Sequence, residues 1–256
     1  MQIAEGILLR LSRPVGGTDY PGQSIDTMKE DPLALLHREY PDLGDILRGK
    51  RVVDFGCGVG LQAMALVREY GCTVCGVESN PKHMQKAMDL ARQQGVPQDK
   101  AEFHLRATAD LKGKYDIVIS QNSMEHFSDP EGTIAEMASL VRPGGKLLIT
   151  FGPPWCAPYG SHMGFFCKVP WINMFFSEKV IMNVRRRFRN DGATRYSEVE
   201  SGLNKMTVRK FERLISRCGL RMERLRCTCV KKLNFLSHVP ILREFVINHV
   251  TCVLVK

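Results

Sequence analysis

No apolar run in this 256-residue chain approaches the roughly 18 residues needed to cross a bilayer, so no transmembrane segment is expected. The N-terminal stretch lacks a basic region followed by a long apolar one. Glu5 stands early, the apolar patch is only Ile7 to Leu9 plus Leu11, and no export signal is read. Framework spacing is missing from the nine cysteines, an odd number, which are expected as reduced thiols of a cytoplasmic protein. Metal-ligand spacing is missing as well. Cys72 and Cys75 fall where strand alternation sends them to opposite faces, and Cys227-Thr228-Cys229 has no ligand partners at metal spacing, so no metal is expected. Repeats and low-complexity tracts are absent.

What is present suffices for one full core. The chain is 44% hydrophobic and 25% charged, which fits a single globular domain over residues 1–256. Its net charge of +9 is unevenly placed. From Ile181 to Lys256 there are 17 Lys plus Arg against 6 Asp plus Glu, while residues 1–180 carry a net of −2. A solvated basic face, an acidic substrate, RNA and an anionic membrane surface all fit this excess.

Residues 1–27 read as irregular, punctuated by Pro14, Gly16, Gly17, Pro21 and Gly22. Helical pieces between Met28 and Leu47 complete an N-terminal segment of residues 1–48. Strand then alternates with helix, which predicts a parallel sheet covered on both faces. The strands are expected at Arg51 to Phe55, Thr73 to Glu78, Ala101 to Leu105, Tyr115 to Ser120 and Lys146 to Phe151. Asn80-Pro81 and Asp129-Pro130 give cap-then-proline starts for helices ending near Gly95 and Arg142. Phe211, Leu214, Ile215 and Cys218 then mark a helix from Thr207 to Gly219, and two strands close the chain at Leu220 to Val230 and Asn248 to Val255.

Asp54-Phe55-Gly56-Cys57-Gly58-Val59-Gly60 follows a buried strand and opens a helix. Glycines there let a ligand lie against bare main chain. Glu78 ends the next strand, 24 residues after Asp54, where a carboxylate can accept hydrogen bonds from both hydroxyls of an adenosine ribose. The dinucleotide fingerprint G-x-G-x-x-G is broken by Leu61 in its sixth position, which argues against NAD or FAD.

Val53-Asp54-Phe55-Gly56-Cys57-Gly58-Val59-Gly60 resembles the first motif of class I S-adenosylmethionine-dependent methyltransferases. Tyr115-Asp116-Ile117-Val118-Ile119-Ser120 with Met124-Glu125-His126-Phe127 resembles their fourth-strand region. Leu140-Val141-Arg142-Pro143-Gly144-Gly145-Lys146-Leu147 is similar to their turn before strand five. The resemblance implies a Rossmann-like, doubly wound α/β fold of seven strands with the last antiparallel, and S-adenosylmethionine as cofactor. It further implies that Asp54, Gly56, Cys57 and Gly58 line the methionine moiety, with Gln121 and Asn122 facing its end. Glu78 would hold the ribose with Ser79 beside it, and Thr108, Ala109 and Asp110 would border the adenine. Many relatives carry an acidic residue where this chain has Ala107.

A hydroxyl acceptor must lose a proton, for which histidine suits neutral pH. His162, just beyond strand five, is favoured as base; His126, after strand four, serves in the same site or supports the cofactor pocket. Gly152-Pro153-Pro154-Trp155 differs in place and first residue from the motif of amino-group methyltransferases.

Residues 151–182 hold both tryptophans and eight of the 20 aromatics, followed by Arg185, Arg186, Arg187 and Arg189. A satellite core accounts for them; so does an acceptor lid formed by an insertion over residues 152–205. Tyr159-Gly160-Ser161-His162, Val169-Pro170-Trp171 and the final strand look like bacterial glycan and natural-product methyltransferases. The expected function is O-methylation of a small molecule, sugar or glycan, including anionic or lipid-linked ones. An RNA methyltransferase and a non-catalytic cofactor-binding scaffold are the alternatives.

Overall fold

The computed structural model describes residues 2–13, 31–199, 202–230 and 233–256. Pro14, Gly16, Gly17, Pro21, Gly22 and Met28 lie outside the described residues. In chain order the elements are α1 (Gln2–Leu11), α2 (Ala34–Glu39), α3 (Leu43–Leu47), β1 (Arg51–Phe55), α4 (Leu61–Tyr70), β2 (Thr73–Val77), α5 (Pro81–Gln93), β3 (Ala101–His104) and β4 (Tyr115–Gln121). There follow α6 (Pro130–Leu140), β5 (Val141–Phe151), α7 (Ile172–Phe175), α8 (Glu178–Arg185), α9 (Val208–Arg217), β6 (Arg221–Cys229), α10 (Arg243–Val246) and β7 (Ile247–Val255).

The seven strands form one sheet in the order β3-β2-β1-β4-β5-β7-β6, with β7 antiparallel to both of its neighbours. This is the expected α/β Rossmann-like fold. Order reverses between β1 and β4, which puts a ligand crevice at the carboxyl ends of those strands. Strand alternation splits the apolar side chains between two cores. Val53, Phe55, Cys75, Val118 and Ile149 enter one, with α6 and α9 over it; Val52, Val74, Ile117, Ile119 and Leu148 enter the other, beneath α2, α3 and α4. Cys72 and Cys75 do go to opposite faces.

Two elements differ from expectation. Residues 2–11 are helical rather than irregular. That helix is too short to be stable alone, and it stands because Ala4, Leu8 and Leu9 pack against Phe166, Ile181 and Val184 between β5 and α9. The second is β5, which begins at Val141 and runs through Pro143-Gly144-Gly145. Tyr115 pairs with Val141 but Ile117 pairs with Lys146, so the glycines form an irregularity within the strand. Gly144 takes φ +77°, its N–H donating to the Lys256 carbonyl at 3.0 Å.

The stretch between β5 and α9 builds a third core from Met163, Phe166, Ile172, Ile181, Val184 and Tyr196 with Leu8 of α1. Arg185, the first of the arginine cluster, is fully buried and grips Asp191 through two bonds of 2.7 and 2.6 Å. That cation is a structural tie rather than a surface charge.

A buried acid fastens α2 to the far sheet edge. Glu39, 4% exposed, accepts from Thr251 Oγ1 at 2.6 Å, from Arg38 Nε at 2.9 Å and from Arg226. Burial alone would raise its pKa, but these donors outweigh it and bring it from 4.5 down to about 2. A depressed acid stabilises the fold above its unfolded pKa and loses that contribution as pH falls from 4.5 towards 2. Glu39→Ala is expected to destabilise the protein by about 3 kcal/mol, read as a lowered urea midpoint with unchanged slope. The loss should shrink as the wild type is acidified through that window.

Candidate active site

The carboxyl ends of β1, β2 and β4 open onto a cleft of about 460 Å³ lined by Gly56, Glu78, Arg106, Ser123, His126 and Asp129, among others. Gly56, where the glycine loop begins, is part of its lining. Gly56, Gly58 and Gly60 take φ of +82°, +56° and +78°, a region costly for any side chain. The N–H groups of Gly56 and Cys57 both donate to the Val77 carbonyl, at 2.8 and 3.1 Å, which ties the loop to the end of β2. Gly60 is needed for packing too. A Cβ there would stand 2.9 Å from Phe103 and 3.0 Å from Ala87, so the glycine brings α4 down onto α5 and β3.

Glu78 follows β2 and spans two backbones. Its Oε2 accepts from Gly58 N–H at 3.0 Å and its Oε1 from Asn80 N–H at 2.8 Å. The carboxylate is thus fixed at the mouth of the glycine loop, and each oxygen keeps acceptor capacity for a ligand hydroxyl. Asn80 caps α5 through its side chain, accepting from Lys82 N–H at 3.0 Å, as the cap-then-proline signal predicts.

Asp54 lies beneath the loop, 2% exposed, with Gln62 Nε2 donating to its Oδ1 at 2.8 Å. Burial, with the nearby Glu78 charge, raises its pKa to about 7 despite that hydrogen bond. Among the described residues, no hydrogen-bond partner meets the buried Asp54 Oδ2 or Gln121 Nε2. Such groups are costly to leave unpaired. An acceptor and a donor, both unsatisfied at the ends of adjacent β1 and β4, fit the amino-acid end of a ligand. Bare glycine main chain beside the Glu78 carboxylate fits its nucleoside.

His126 lies on the cleft wall and His162 packs against it edge-on, ring centroids 5.5 Å apart at 88°. His126 Nδ1 meets the Gly202 carbonyl at 2.7 Å; the carbonyl can only accept, so this nitrogen carries the proton and Nε2 is the basic one in the neutral ring. Burial lowers the His126 pKa from 6.5 to about 4, and burial lowers that of His162 as well. His162 Nε2 meets the Pro153 carbonyl at 3.2 Å, and the residue is held at φ +55°, unusual outside glycine. The sequence put His162 first; the structure puts His126 on the cleft wall and His162 behind it. Glu125 is 3% exposed, accepts from Gly152 N–H at 3.2 Å and is pushed up to about 8 by burial, which favours its neutral form.

The remaining expected site residues divide. Gly56, Glu78 and Ser79 line the cleft, whereas Cys57 is half-buried with its thiol pushed up strongly by burial. Asn122 leaves β4 at φ +47° with its N–H bonded to the Thr150 carbonyl. Thr108, Ala109 and Asp110 lie exposed on a short turn, and the cleft wall on that side is made by Leu105, Arg106 and His83. Those three escaped the sequence reading because no motif marks them; only the parallel pairing of β2 and β3 brings His104 level with Val77, and so Leu105 to the cleft. Strand pairing also gathers Cys75, Glu102 and His104, whose ligand atoms lie within 4.8 Å of one another, a grouping hidden by their distance along the chain.

Comparison with known proteins agrees with this architecture. Residues 26–225 match the family described as a methyltransferase domain, and the chain belongs to that family, of the class I type whose methyl donor is S-adenosylmethionine. It is 34% identical over 129 residues to methyltransferase GfsG of Streptomyces halstedii, a match covering 49% of this chain and 46% of that one. It is 36% identical over 105 residues to the ubiquinone biosynthesis O-methyltransferase of Pectobacterium atrosepticum, covering 41% and 43%. The chain therefore spans less than half the length of the curated relatives it matches. Its fold superimposes on magnesium protoporphyrin IX methyltransferase of Synechocystis, solved with bound SAH, with a TM-score of 0.55 and 16% identity over 100% of this chain and 94% of that one.

Proposed function

We propose that this protein transfers a methyl group from S-adenosylmethionine to a hydroxyl of a small molecule or glycan. The observation that carries the proposal is the glycine loop and Glu78 carboxylate opening into the same cleft as the buried imidazole of His126. The donor, when bound, would supply a methyl group on a sulfonium; an acceptor oxygen would bond to that carbon in line as the carbon–sulfur bond breaks and the thioether leaves. Much of the rate then comes from positioning. In this reading Asp54, Gly56, Cys57 and Gly58 line the methionine moiety with Gln121 and Asn122 facing its end, and Glu78 holds the ribose with Ser79 beside it. His126 Nε2 takes the acceptor's proton as the new C–O bond forms; His162 fixes the ring that does so. Residues 152–205 act as the acceptor lid, since they leave the sheet directly after β5.

Asp54 gives this reading a pH signature. With a pKa near 7 it is partly protonated at neutrality, whereas the ammonium group of the donor favours the carboxylate. Binding is then coupled to proton loss. Affinity for the demethylated donor should strengthen as pH rises from about 6 to 8, and Asp54→Asn should flatten that dependence. Calorimetry at several pH values reads both.

The function itself is tested by methyl-donor turnover against sugars, phenols, lipid-linked glycans and RNA. Methylation of a hydroxyl compound is expected; turnover on RNA alone, or donor binding without turnover on any class, would replace the proposal with one of its two alternatives. The RNA reading draws on the basic C-terminal part and requires an affinity that falls steeply with salt.

A further inference from the structure

We propose that the segment joining β6 to β7 docks the catalytic edge of this protein on an anionic membrane surface. Among the described residues, thirteen large apolar side chains are exposed, and five of them fall between positions 235 and 245. Phe235 is 69% exposed, Ile241 70%, Leu242 49%, and Val239 and Phe245 40% each. Isolated apolar residues on a surface need no explanation, but a contiguous patch marks an interaction site.

The fold holds these side chains out. Leu233 and Val246, at the two ends of the segment, pack against the main core. Glu244, 7% exposed, turns inward and accepts from the N–H groups of Val208 and Arg209 at 3.2 and 2.8 Å, so α10 is pinned to the start of α9. Arg209 also reaches the Pro240 carbonyl at 3.4 Å, and Arg243 pairs with Glu212. A frame secured at both ends and in its middle presents the patch instead of folding it under.

Topology gives the patch its place. Because β7 runs antiparallel to β5, with Phe151 opposite Val250 and Lys146 opposite Val255, β7 begins where the parallel strands end. The segment therefore enters the sheet at the edge that carries the glycine loop, His126 and the start of the stretch between β5 and α9. That stretch also exposes Phe175 at 74% and Met174 at 40%.

Charge selects the occupant. Residues 202–256 contain twelve Lys and Arg against three acids, and Lys231 and Lys232 stand near the start of the segment in sequence. Of the acids, Glu244 is buried, Glu212 is paired with Arg243, and Glu223, with Arg221 beside it, lies at the opposite end of β6. Arg209 and Arg213, on the helix beside the patch, are exposed. Two copies meeting face to face through this patch would set cation against cation. Anionic headgroups with acyl chains beneath them satisfy both features at once. The acceptor would then be an amphiphile whose hydroxyl lies at the bilayer surface, a statement that rests on the methyl-transfer reading, whereas the docking itself does not.

The test is co-sedimentation of the full chain with vesicles of phosphatidylcholine alone and of phosphatidylcholine with phosphatidylglycerol, at low and high salt. Binding to the anionic vesicles is expected, weakened about tenfold or more by high salt and by the double variant Phe235→Ser/Ile241→Ser. That variant should keep its melting temperature and its affinity for the demethylated donor, since both side chains are exposed and outside the cleft. No sedimentation of the wild type, equal sedimentation of the variant, or a stable wild-type dimer that the variant dissolves would each overturn docking. Donor-product calorimetry on the same samples separates the two ideas: its failure removes the methyltransferase reading and leaves vesicle binding standing, and the reverse pattern does the opposite.

Discussion

Replacing His126 by glutamine is expected to lower kcat by about 100-fold on whichever acceptor supports turnover, while affinity for the demethylated donor stays nearly unchanged. Glutamine preserves a donor for the Gly202 carbonyl, now 2.7 Å from Nδ1, so the wall of the cleft is retained and only the basic nitrogen goes. The wild-type pH profile carries a second mark. A histidine held near 4 is neutral from about pH 5 upward, so the acid limb of kcat should lie below the ordinary histidine range. His162→Ala should cost less, about tenfold, because that ring acts through its contact with His126. The His162 charge helps depress the His126 pKa, so its removal should shift the acid limb upward. An unchanged rate in the His126 variant, measured with saturating donor, would move the proton acceptor elsewhere.

Glu78→Ala should weaken binding of the demethylated donor by roughly 1–3 kcal/mol, or about 5- to 150-fold, for loss of charged hydrogen bonds to the ribose. Some of that effect would come from the loop itself, because the carboxylate also accepts from Gly58 and Asn80 N–H. Glu78→Gln separates the contributions. It retains one acceptor oxygen and the side-chain volume, and its affinity should fall between wild type and the alanine variant. Calorimetry on all three gives the order, and equal affinities would remove Glu78 from the site.

The contrast between β1 and α1 shows where local pattern carries information. Arg51 to Phe55 announces a buried strand by composition, and the following glycines announce a turn, because only glycine takes φ near +82° and +56° at no steric cost. Asn80-Pro81 and Asp129-Pro130 are equally local: each side chain caps the helix it begins, Asp129 accepting from Gly132 N–H at 3.0 Å. By contrast α1 is helical because of side chains more than 150 residues away, which no window along the chain contains.

The same division runs through the cleft. Sequence alone determined the glycine loop and the acid after β2, since each depends on backbone conformation or chemistry within a few residues. It also determined the sheet, through the alternation of buried strands and capped helices. Only tertiary structure decided which histidine reaches the cleft, that Leu105 and Arg106 form its wall, and that the arginine cluster spends Arg185 on Asp191. Those outcomes turn on desolvation and strand register, both properties of packed surroundings that a residue's own neighbours in sequence do not set.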